Sequence, residues 1–280
     1  MDEPKVWLVT GSSRGLGRAI AEAAASSGAR VMATARQPGQ LDDLITAYPG
    51  RVETVALDVT NPAAARRAVR AGVDAFGRLD VVVNNAGYAD SAPIEEMSDE
   101  DFRRQIDANL FGVVNVTRAA LPVLRAQRSG VFVQISSIGG RVGGTPGLGA
   151  YQAAKFAVEG FSEVLAAETG PFGVKVIIVE PGAFRTEWQG SSMVRHPVGP
   201  DYEATVGRIH AFRAESHGGQ PGDPVRAADA IVQVAAMDDP PRRLPLGSDA
   251  LSAALTAGVA RNAEAENWAD LSRSTDHRAA

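Results

Sequence analysis

Seven short runs of mainly apolar residues, many of them β-branched, alternate with longer amphipathic stretches along this chain. The runs are VWLVT (6–10), RVMATA (30–35), VETVAL (52–57), DVVVNN (80–85), VFVQIS (131–136), VKVIIVE (174–180) and RRLPLG (242–247). The amphipathic stretches lie near 16–28, 62–76, 99–127, 150–169 and 224–237. This alternation is typical of βαβ units, and nearly continuous apolar runs are typical of parallel strands buried on both faces. We therefore predict a doubly wound α/β domain with a seven-stranded parallel sheet and helices on both faces.

Two segments do not follow this alternation. A polar stretch with several glycines and prolines occupies residues 183–220, and a further extension follows Gly247. Long insertions in a compact domain are usually lids or substrate loops. We predict a single domain over residues 1–247, a substrate loop at 183–220, and a helical extension of the same domain at 248–280.

Composition excludes several classes of function. The 280 residues carry a formal net charge of −5, which provides no basic field for nucleic acid. No apolar run is long enough to predict a membrane span, and the N-terminus lacks the pattern of a secretion signal. The chain has no cysteine, and its four histidines show no metal-ligand spacing. We expect a cytoplasmic protein that has no metal site and binds neither nucleic acid nor membranes.

A glycine-rich stretch, TGSSRGLGR (10–18), directly follows the first predicted strand. Gly11, Gly15 and Gly17 allow a tight turn and a close approach of the backbone to a pyrophosphate. The pyrophosphate would then meet free N–H groups at the start of the next helix. Three glycines before a helix are also compatible with a purely structural turn. The strand before them and the helix after them favour a nucleotide site.

The end of the second predicted strand indicates which nucleotide is preferred. NAD sites commonly carry an acidic residue there, which accepts a hydrogen bond from the ribose 2′-hydroxyl. This chain has Ala35 and Arg36 at that point. A guanidinium can hold a 2′-phosphate, and Arg14 in the glycine-rich stretch can supply a second cation. Either arginine alone is equally compatible with a solvent-exposed role. Together, with the acid absent, they favour NADP(H).

Tyr151 and Lys155 lie four residues apart in AYQAAK (150–155), in a chain with few tyrosines and few lysines. On a helix these side chains share one face, so the ammonium can stabilise the phenolate form of the tyrosine. An unperturbed phenol titrates near pH ~10, and a nearby cation lowers its pKa toward the range of a general acid. The pair alone is also compatible with an ordinary helix turn.

Six motifs in order along the chain make it similar to the short-chain dehydrogenase/reductase superfamily over residues 4–247. They are TGSSRGLG (10–17), NNAG (84–87), the asparagine in DANLFG (107–112), ISS (135–137), YQAAK (151–155) and PGAFRT (181–186). The resemblance implies a Rossmann-type fold and an oxidoreductase that interconverts a carbonyl and a secondary alcohol with NADP(H). Hydride transfer to a carbonyl requires a positioned acid and a donor aimed at the developing oxyanion.

The resemblance also implies roles for individual residues. Tyr151 would be the general acid/base, and Lys155 would bond the hydroxyls of the nicotinamide ribose. Ser137 would orient the substrate oxygen, and Asn109 would hold a water molecule in a proton relay. The cofactor-binding residues would be Gly11, Ser13, Arg14, Gly15, Leu16, Gly17, Arg36, Asp58, Val59, Asn85, Ala86, Gly87, Tyr151, Lys155, Pro181, Gly182 and Thr186, with the last at the nicotinamide amide.

Two features depart from the family pattern. The serine is doubled, and we assign Ser137 rather than Ser136 by its register with the family. Ser137 and Tyr151 are 14 residues apart, one residue more than the family spacing. We expect the extra residue to lie in the glycine-rich 138–149 loop, where an insertion costs little free energy. Otherwise the two side chains would be out of register.

Specificity for a small ketone or alcohol is expected from three segments, 88–94, 138–149 and 183–220. The last contains the apolar residues Phe184, Trp188, Met193 and Phe212, which would line the substrate pocket or simply pack the lid. No cluster of arginines in the sequence indicates a phosphorylated or carrier-bound substrate.

Three other functions are compatible with parts of this sequence pattern. A non-catalytic NADP-binding regulator would be expected to lack part of the catalytic set, and an NAD(H)-dependent alcohol dehydrogenase would differ at the second strand. An epimerase or dehydratase would be expected to carry a larger C-terminal domain.

The helices predicted over 102–125 and 151–168 have more apolar residues than one core-facing stripe requires. The resemblance implies that they pair in a homodimer or homotetramer.

Overall fold

A computed structural model describes residues 3–190, 192–216 and 218–277 of the chain. Positions 191 and 217 of the predicted substrate loop lie outside the described residues. So do residues 1, 2 and 278–280, which are the outer ends of the two predicted ranges 1–247 and 248–280.

A seven-stranded sheet forms the centre of the fold. Its strands are β1 (Val6–Val9), β2 (Arg30–Ala35), β3 (Val52–Ala56), β4 (Val81–Asn84), β5 (Gly130–Ile135), β6 (Val174–Pro181) and β7 (Arg243–Leu246). Every neighbouring pair is parallel, and the strand order is β3-β2-β1-β4-β5-β6-β7. The predicted fold class is confirmed, since each predicted run contains or overlaps one strand.

Helices cover both faces of this sheet. They are α1 (Gly15–Ser26), α2 (Asp42–Ala47), α3 (Pro62–Phe76), α4 (Asp99–Ile106), α5 (Gly112–Gln127), α6 (Ile138–Arg141), α7 (Gly149–Thr169), α8 (Arg208–Glu215), α9 (Pro224–Ala235), α10 (Ser248–Asn267) and α11 (Ala269–Arg273). Side chains of successive strand residues point to opposite faces. Trp7 and Val9 therefore join one apolar core with α1, α2 and α9, whereas Val6 and Leu8 join a second core with α3, α5 and α7.

Local sequence signals set the start of several helices. The Asn61 side chain accepts hydrogen bonds from the first turn of α3, and Ser98 and Asp223 do the same for α4 and α9. Asparagine, serine and aspartate are favoured at this position because their side-chain oxygens pair with N–H groups that have no partner within the helix. Pro62 and Pro224 follow two of these caps, where the missing N–H costs nothing.

The stretch predicted as one helix over 99–127 is divided into three parts. Between α4 and α5, residues Asp107–Phe111 form a wider π turn. The Asn109 side-chain amide donates to the Gln105 carbonyl at 2.9 Å, which is the acceptor that the Asn109 backbone N–H would use in an α-helix. A single continuous helix is therefore the wrong description of this segment.

The start of α10 contacts the loop that follows β6. The Asp249 carboxylate accepts a hydrogen bond from the Ala183 N–H at 2.8 Å. A Cβ atom placed on Gly182 would overlap with that carboxylate, which shows how closely the two segments approach. The first turn of α10 therefore fixes the position of the loop after β6.

The strand order reverses next to β1, whose two neighbours are β2 and β4. In open parallel sheets ligands bind outside the carboxyl ends of the strands at such a switch point. The glycine-rich stretch follows β1, and the NNAG segment begins at the end of β4. The fold therefore brings these two motifs together at one edge.

Candidate active site

The glycine-rich stretch after β1 forms a narrow cradle. Gly11 and Gly15 have φ angles of +70° and +57°, which side chains rarely adopt. A Cβ atom on Gly17 would overlap with the Gly11 carbonyl and the Asn85 amide. Helix α1 begins at Gly15, and no side chain caps its first N–H groups. The uncapped helix start and the side-chain-free surface fit a pyrophosphate.

The NNAG segment fastens this cradle to the end of β4. The Thr10 hydroxyl accepts hydrogen bonds from the backbone N–H groups of Asn85 and Ala86, at 2.9 Å and 3.0 Å. The Asn85 side chain in turn donates to the Thr10 carbonyl at 2.9 Å and more weakly to that of Gly11 at 3.3 Å. The motif thus fixes the shape of the loop that would contact the phosphates.

The end of β2 carries no acidic residue. Ala35 is buried, while Arg36 and Arg14 are both exposed and face solvent beside the cradle. Burial raises the pKa of Tyr88, and the charge of Arg36 acts against that rise. The charge of Arg36 therefore acts on the start of the 88–94 segment.

Several other predicted cofactor residues lie around the same edge. Asp58 is exposed and accepts hydrogen bonds from Thr60, and the Val59 side chain packs against Gly112 at the start of α5. Ser13 and Leu16 are half-buried within the cradle.

The loop after β6 reaches back to the glycine cradle. Pro181 is the last residue of β6, and the Gly182 N–H donates to the Leu246 carbonyl at 2.9 Å. A Cβ atom on Gly15 would lie 3.4 Å from the Cβ of Thr186. The loop after β6 therefore lies directly against the glycine cradle.

Tyr151 is buried at the start of α7 and faces Ser137, which caps α6. Burial raises the pKa of Tyr151 to about 12, and a hydrogen bond with the Ser137 hydroxyl is the largest effect in the opposite direction. Ser136 is buried toward Gly140 instead. The longer interval between Ser137 and Tyr151 thus leaves these two side chains in register.

Lys155 lies one turn after Tyr151 and is buried. Its ammonium donates to the Ile135 carbonyl at 2.8 Å and lies 5.7 Å from the centroid of the Tyr151 ring. Burial lowers the pKa of Lys155 to about 8, and the charge of Glu159 acts against that change. Burial outweighs the two effects that lower the pKa of Tyr151, which come from Ser137 and Arg213, and stabilisation of the phenolate by Lys155 stays a prediction.

Asn109 lies beside Lys155 at the π turn. Its side chain accepts from the Tyr88 N–H at 3.2 Å and donates to the Tyr88 carbonyl at 2.8 Å. A Cβ atom on Gly87 would lie 2.5 Å from the Asn109 Oδ1 and 3.7 Å from the Lys155 Nζ. The asparagine side chain therefore holds the start of the 88–94 segment next to the buried lysine.

A small cluster of buried apolar residues adjoins Tyr151. The Trp188 ring lies 5.2 Å from the Tyr151 ring, and Ala89, Leu148 and Met193 pack around the pair. The four apolar residues expected from the substrate loop thus divide into two groups. Trp188 and Met193 belong to the cluster around Tyr151. Phe184 packs near Gly222 instead, and Phe212 is 64% exposed.

The three predicted specificity segments meet at Ser91. Its N–H donates to the Val194 carbonyl, and the neighbouring Ala92 N–H donates to the Gly147 carbonyl. The Ser91 hydroxyl lies 2.8 Å from the His210 Nε2 and 3.4 Å from the Arg213 Nη1. Sequence reasoning missed these two basic residues, although their spacing of three on a helix places them on one face.

Three further observations bound the site. A separate cavity of about 670 Å³, lined by residues such as Phe184 and Asp223, contains none of the predicted catalytic residues. Within the described ranges, no group of three or more histidine, aspartate or glutamate side chains is arranged to hold a metal ion. In the same part of the chain, none of the helices has the length and hydropathy needed to cross a membrane.

Comparison with known proteins places these features in a family. Residues 5–195 match the family model for short chain dehydrogenases. Oxidoreductase BOA17 of Botryotinia fuckeliana is 49% identical over 269 residues, which cover 96% of this chain and 98% of that protein. A short-chain dehydrogenase structure from Streptomyces avermitilis has a TM-score of 0.90 at 43% identity, over 98% of this chain and 100% of its own. An alcohol dehydrogenase from Thermococcus sibiricus, solved with 5-hydroxy-NADP, has a TM-score of 0.72 at 27% identity, over 87% and 96%. The chain is an oxidoreductase that belongs to the short-chain dehydrogenase family, whose members bind a nicotinamide cofactor.

Proposed function

We propose that the protein interconverts a small ketone and the corresponding secondary alcohol with NADP(H), using Tyr151 as the general acid/base. The observation that carries this proposal is the pairing of the buried Tyr151 phenol with the half-buried Ser137 hydroxyl, beside a cluster of apolar residues. Lys155 lies behind this pair, and the glycine cradle lies at the same edge of the sheet.

The bound nicotinamide supplies the hydride in the direction of reduction and accepts it in the direction of oxidation. Ser137 donates a hydrogen bond to the carbonyl oxygen and so stabilises the negative charge that develops there. Tyr151 gives its proton to that oxygen, and its raised pKa keeps the phenol protonated at neutral pH. In the oxidation direction the same phenol oxygen takes the proton back.

Lys155 returns the proton that Tyr151 has lost, and Asn109 positions the segment through which that proton passes. The Lys155 ammonium stabilises the transient phenolate, whose charge would otherwise be poorly solvated in the buried site. Its lowered pKa also lets it exchange a proton near neutral pH. Asn109 fixes the backbone around the lysine through its bonds to Tyr88 and Gln105. It thereby holds open the turn at which a relay water would sit.

The preference for NADP(H) is proposed from the residues at the end of β2. Ala35 presents no carboxylate to a 2′-phosphate, and Arg36 and Arg14 are exposed beside the cradle. A guanidinium pairs with a phosphate through short, charge-assisted hydrogen bonds. The Thermococcus sibiricus enzyme, solved with an NADP derivative, supports this choice by similarity.

The Arg36→Ala variant is expected to lose about 10- to 100-fold in kcat/KM with NADPH, because one charged hydrogen bond to the 2′-phosphate is removed. Its kcat/KM with NADH should change little. Initial rates with each cofactor, followed at the reduced nicotinamide absorbance, measure this ratio. Arg70→Ala, which removes an exposed arginine on α3, is the matched control. A preference for NADH that Arg36→Ala leaves unchanged would contradict the assignment.

We also propose that two copies or more associate through α5 and α7. Large apolar side chains on and beside these helices are exposed in the single chain, including Phe111 at 50%, Phe156 at 40% and Val164 at 57%. Exposed apolar patches of this kind usually mark an interface. Size-exclusion chromatography with light scattering should give the mass of a dimer or tetramer, and a monomeric mass would overturn this proposal.

The cytoplasm remains the proposed location, since the sequence offers no cysteine for disulfide bonds. Fractionation of cells that produce the protein tests it, and recovery outside the cytoplasm would contradict it.

A further inference from the structure

A cluster of basic side chains lies around Ser91, where the three predicted specificity segments meet, and has no part in the proton transfer described above. Arg213 and His210 lie on one face of α8, and both contact the Ser91 hydroxyl. The charge of Arg195 acts on both of them and lowers the pKa of each. Ser91 is therefore surrounded by three basic residues, since Arg195 also pairs with it in an isolated β-bridge.

Arg213 is the most deeply placed member of this cluster. Arg213 is only 6% exposed. Among the described residues, no carboxylate lies within ion-pair distance of its guanidinium. Burial, with the charge of Arg195 acting in the same direction, lowers the pKa of Arg213 to about 10. A buried cation without a counter-ion is costly, so such a site gains free energy when an anion binds.

Arg213 is connected to Tyr151 through Ser91: the Ser91 hydroxyl that it contacts lies against Gly147, one residue before Leu148, which packs with Tyr151. The positive charge of Arg213 lowers the pKa of Tyr151, and the Tyr151 phenol in turn raises that of Arg213. The residues packed around Tyr151 are apolar, with Trp188 and Met193 among them. An anion bound to Arg213 would therefore lie near the carbonyl group on which Tyr151 acts.

We propose that the substrate is an oxo acid or hydroxy acid, whose carboxylate binds Arg213 while its carbonyl or hydroxyl group meets Tyr151 and Ser137. A planar guanidinium matches the geometry of a carboxylate and can bind both of its oxygens. The Ser91 hydroxyl and His210 provide further polar contacts at the same point. This inference rests on the proposed function and narrows it to one class of substrate.

The test compares straight-chain oxo acids with their methyl esters, which differ only in charge at the carboxyl group. The wild-type enzyme is expected to prefer the acids in kcat/KM with NADPH. The Arg213→Met variant should lose about 100-fold on the acids and only a few-fold on the esters, because a buried charge pair is lost with the acids alone. Arg213→Lys should restore part of the preference, since it keeps the charge without the planar fork. Arg208→Met, which removes an exposed arginine from the same helix, should leave the preference unchanged.

A binding measurement accompanies these rates. Hexanoate, titrated into the wild-type enzyme, is expected to change the tryptophan fluorescence through Trp188, whereas 1-hexanol should bind more weakly. Arg213→Met should abolish the difference between these two probes while its NADPH affinity and melting temperature stay close to wild type. A variant that loses NADPH affinity instead would place Arg213 in the cofactor site and overturn the inference.

The two proposals fail in different ways. Turnover of neither acids nor esters with either nicotinamide would overturn the proposed function, and hexanoate binding would still test Arg213 itself. Equal turnover of acids and esters, with a ratio that Arg213→Met does not change, would overturn the oxo acid inference and leave the proposed function intact.

Discussion

The Tyr151→Phe variant is expected to lose about 10³-fold in kcat, because general acid catalysis of this kind typically contributes 10²–10⁴-fold. The substitution removes the phenol oxygen that gives its proton to the substrate, and it keeps the ring that packs against Trp188. The loss should therefore fall on the chemical step rather than on folding. Stopped-flow or steady-state measurement of NADPH oxidation with a reducible ketone records it.

Two controls separate chemistry from structure in this experiment. NADPH affinity and the melting temperature of Tyr151→Phe should stay close to wild type, because the ring still packs against Trp188. Tyr48→Phe also removes one hydroxyl, which in Tyr48 bonds to Ser26 at the end of α1, and it should retain wild-type kcat. Wild-type turnover by Tyr151→Phe would show that another group moves the proton.

The Gly17→Ala variant is expected to lose about 100-fold or more in NADPH affinity and to melt at a lower temperature. The added methyl group would overlap with the Gly11 carbonyl and the Asn85 side chain. A backbone carbonyl cannot rotate away, so the cradle must open to make room. Inserted methyl groups in close-packed sites typically cost ~1–3 kcal/mol, and here the strain falls on the surface that would contact the pyrophosphate. Fluorescence titration with NADPH and thermal denaturation measure the two effects.

Gly258→Ala is the matched control for this substitution. Gly258 lies within α10, and its added methyl group would meet no atom within 4 Å. Alanine is favoured over glycine in a helix by up to ~1 kcal/mol. The control should therefore be as stable as the wild type or slightly more so, with unchanged NADPH affinity. If Gly17→Ala behaved in the same way, the glycine cradle would not be the cofactor site.

The sheet could be predicted from the sequence because both of its faces are buried. A strand such as β1 needs apolar side chains at every position, and VWLV supplies them. The position of the glycine cradle follows for a similar local reason, since a tight turn between a strand and a helix restricts which residues can occupy it. Signals of this kind lie within a few neighbouring residues, where a sequence can be read directly.

Features that depend on tertiary packing were not accessible in this way. The spacing of Tyr151 and Lys155 predicts their shared face but not the burial that raises the pKa of Tyr151 to about 12. The competition between the Asn109 side chain and its own backbone for the Gln105 carbonyl is equally hidden in a helical pattern. Burial and competing hydrogen bonds are properties of the whole fold.

The basic cluster around Ser91 was also not predictable from local sequence, because its members are far apart in the chain. Ser91 and Arg213 are separated by 122 positions in the sequence, and no local pattern connects them. They meet because the substrate loop folds back over the segment that follows β4. The sequence contains the arginine, and only the fold shows that it contacts Ser91 and that its charge acts on Tyr151.

The contact between Asp249 and the loop after β6 has a consequence for the far end of the chain. The same loop carries Thr186 to the glycine cradle, so α10 and the cofactor site share one structural element. Coupling between two sites is reciprocal: if docking of α10 favours one arrangement of the loop, a ligand that selects this arrangement must favour the docked helix by the same free energy. If that coupling holds, undocking of the C-terminal helix would report from a distance on whether the proposed cofactor site is filled.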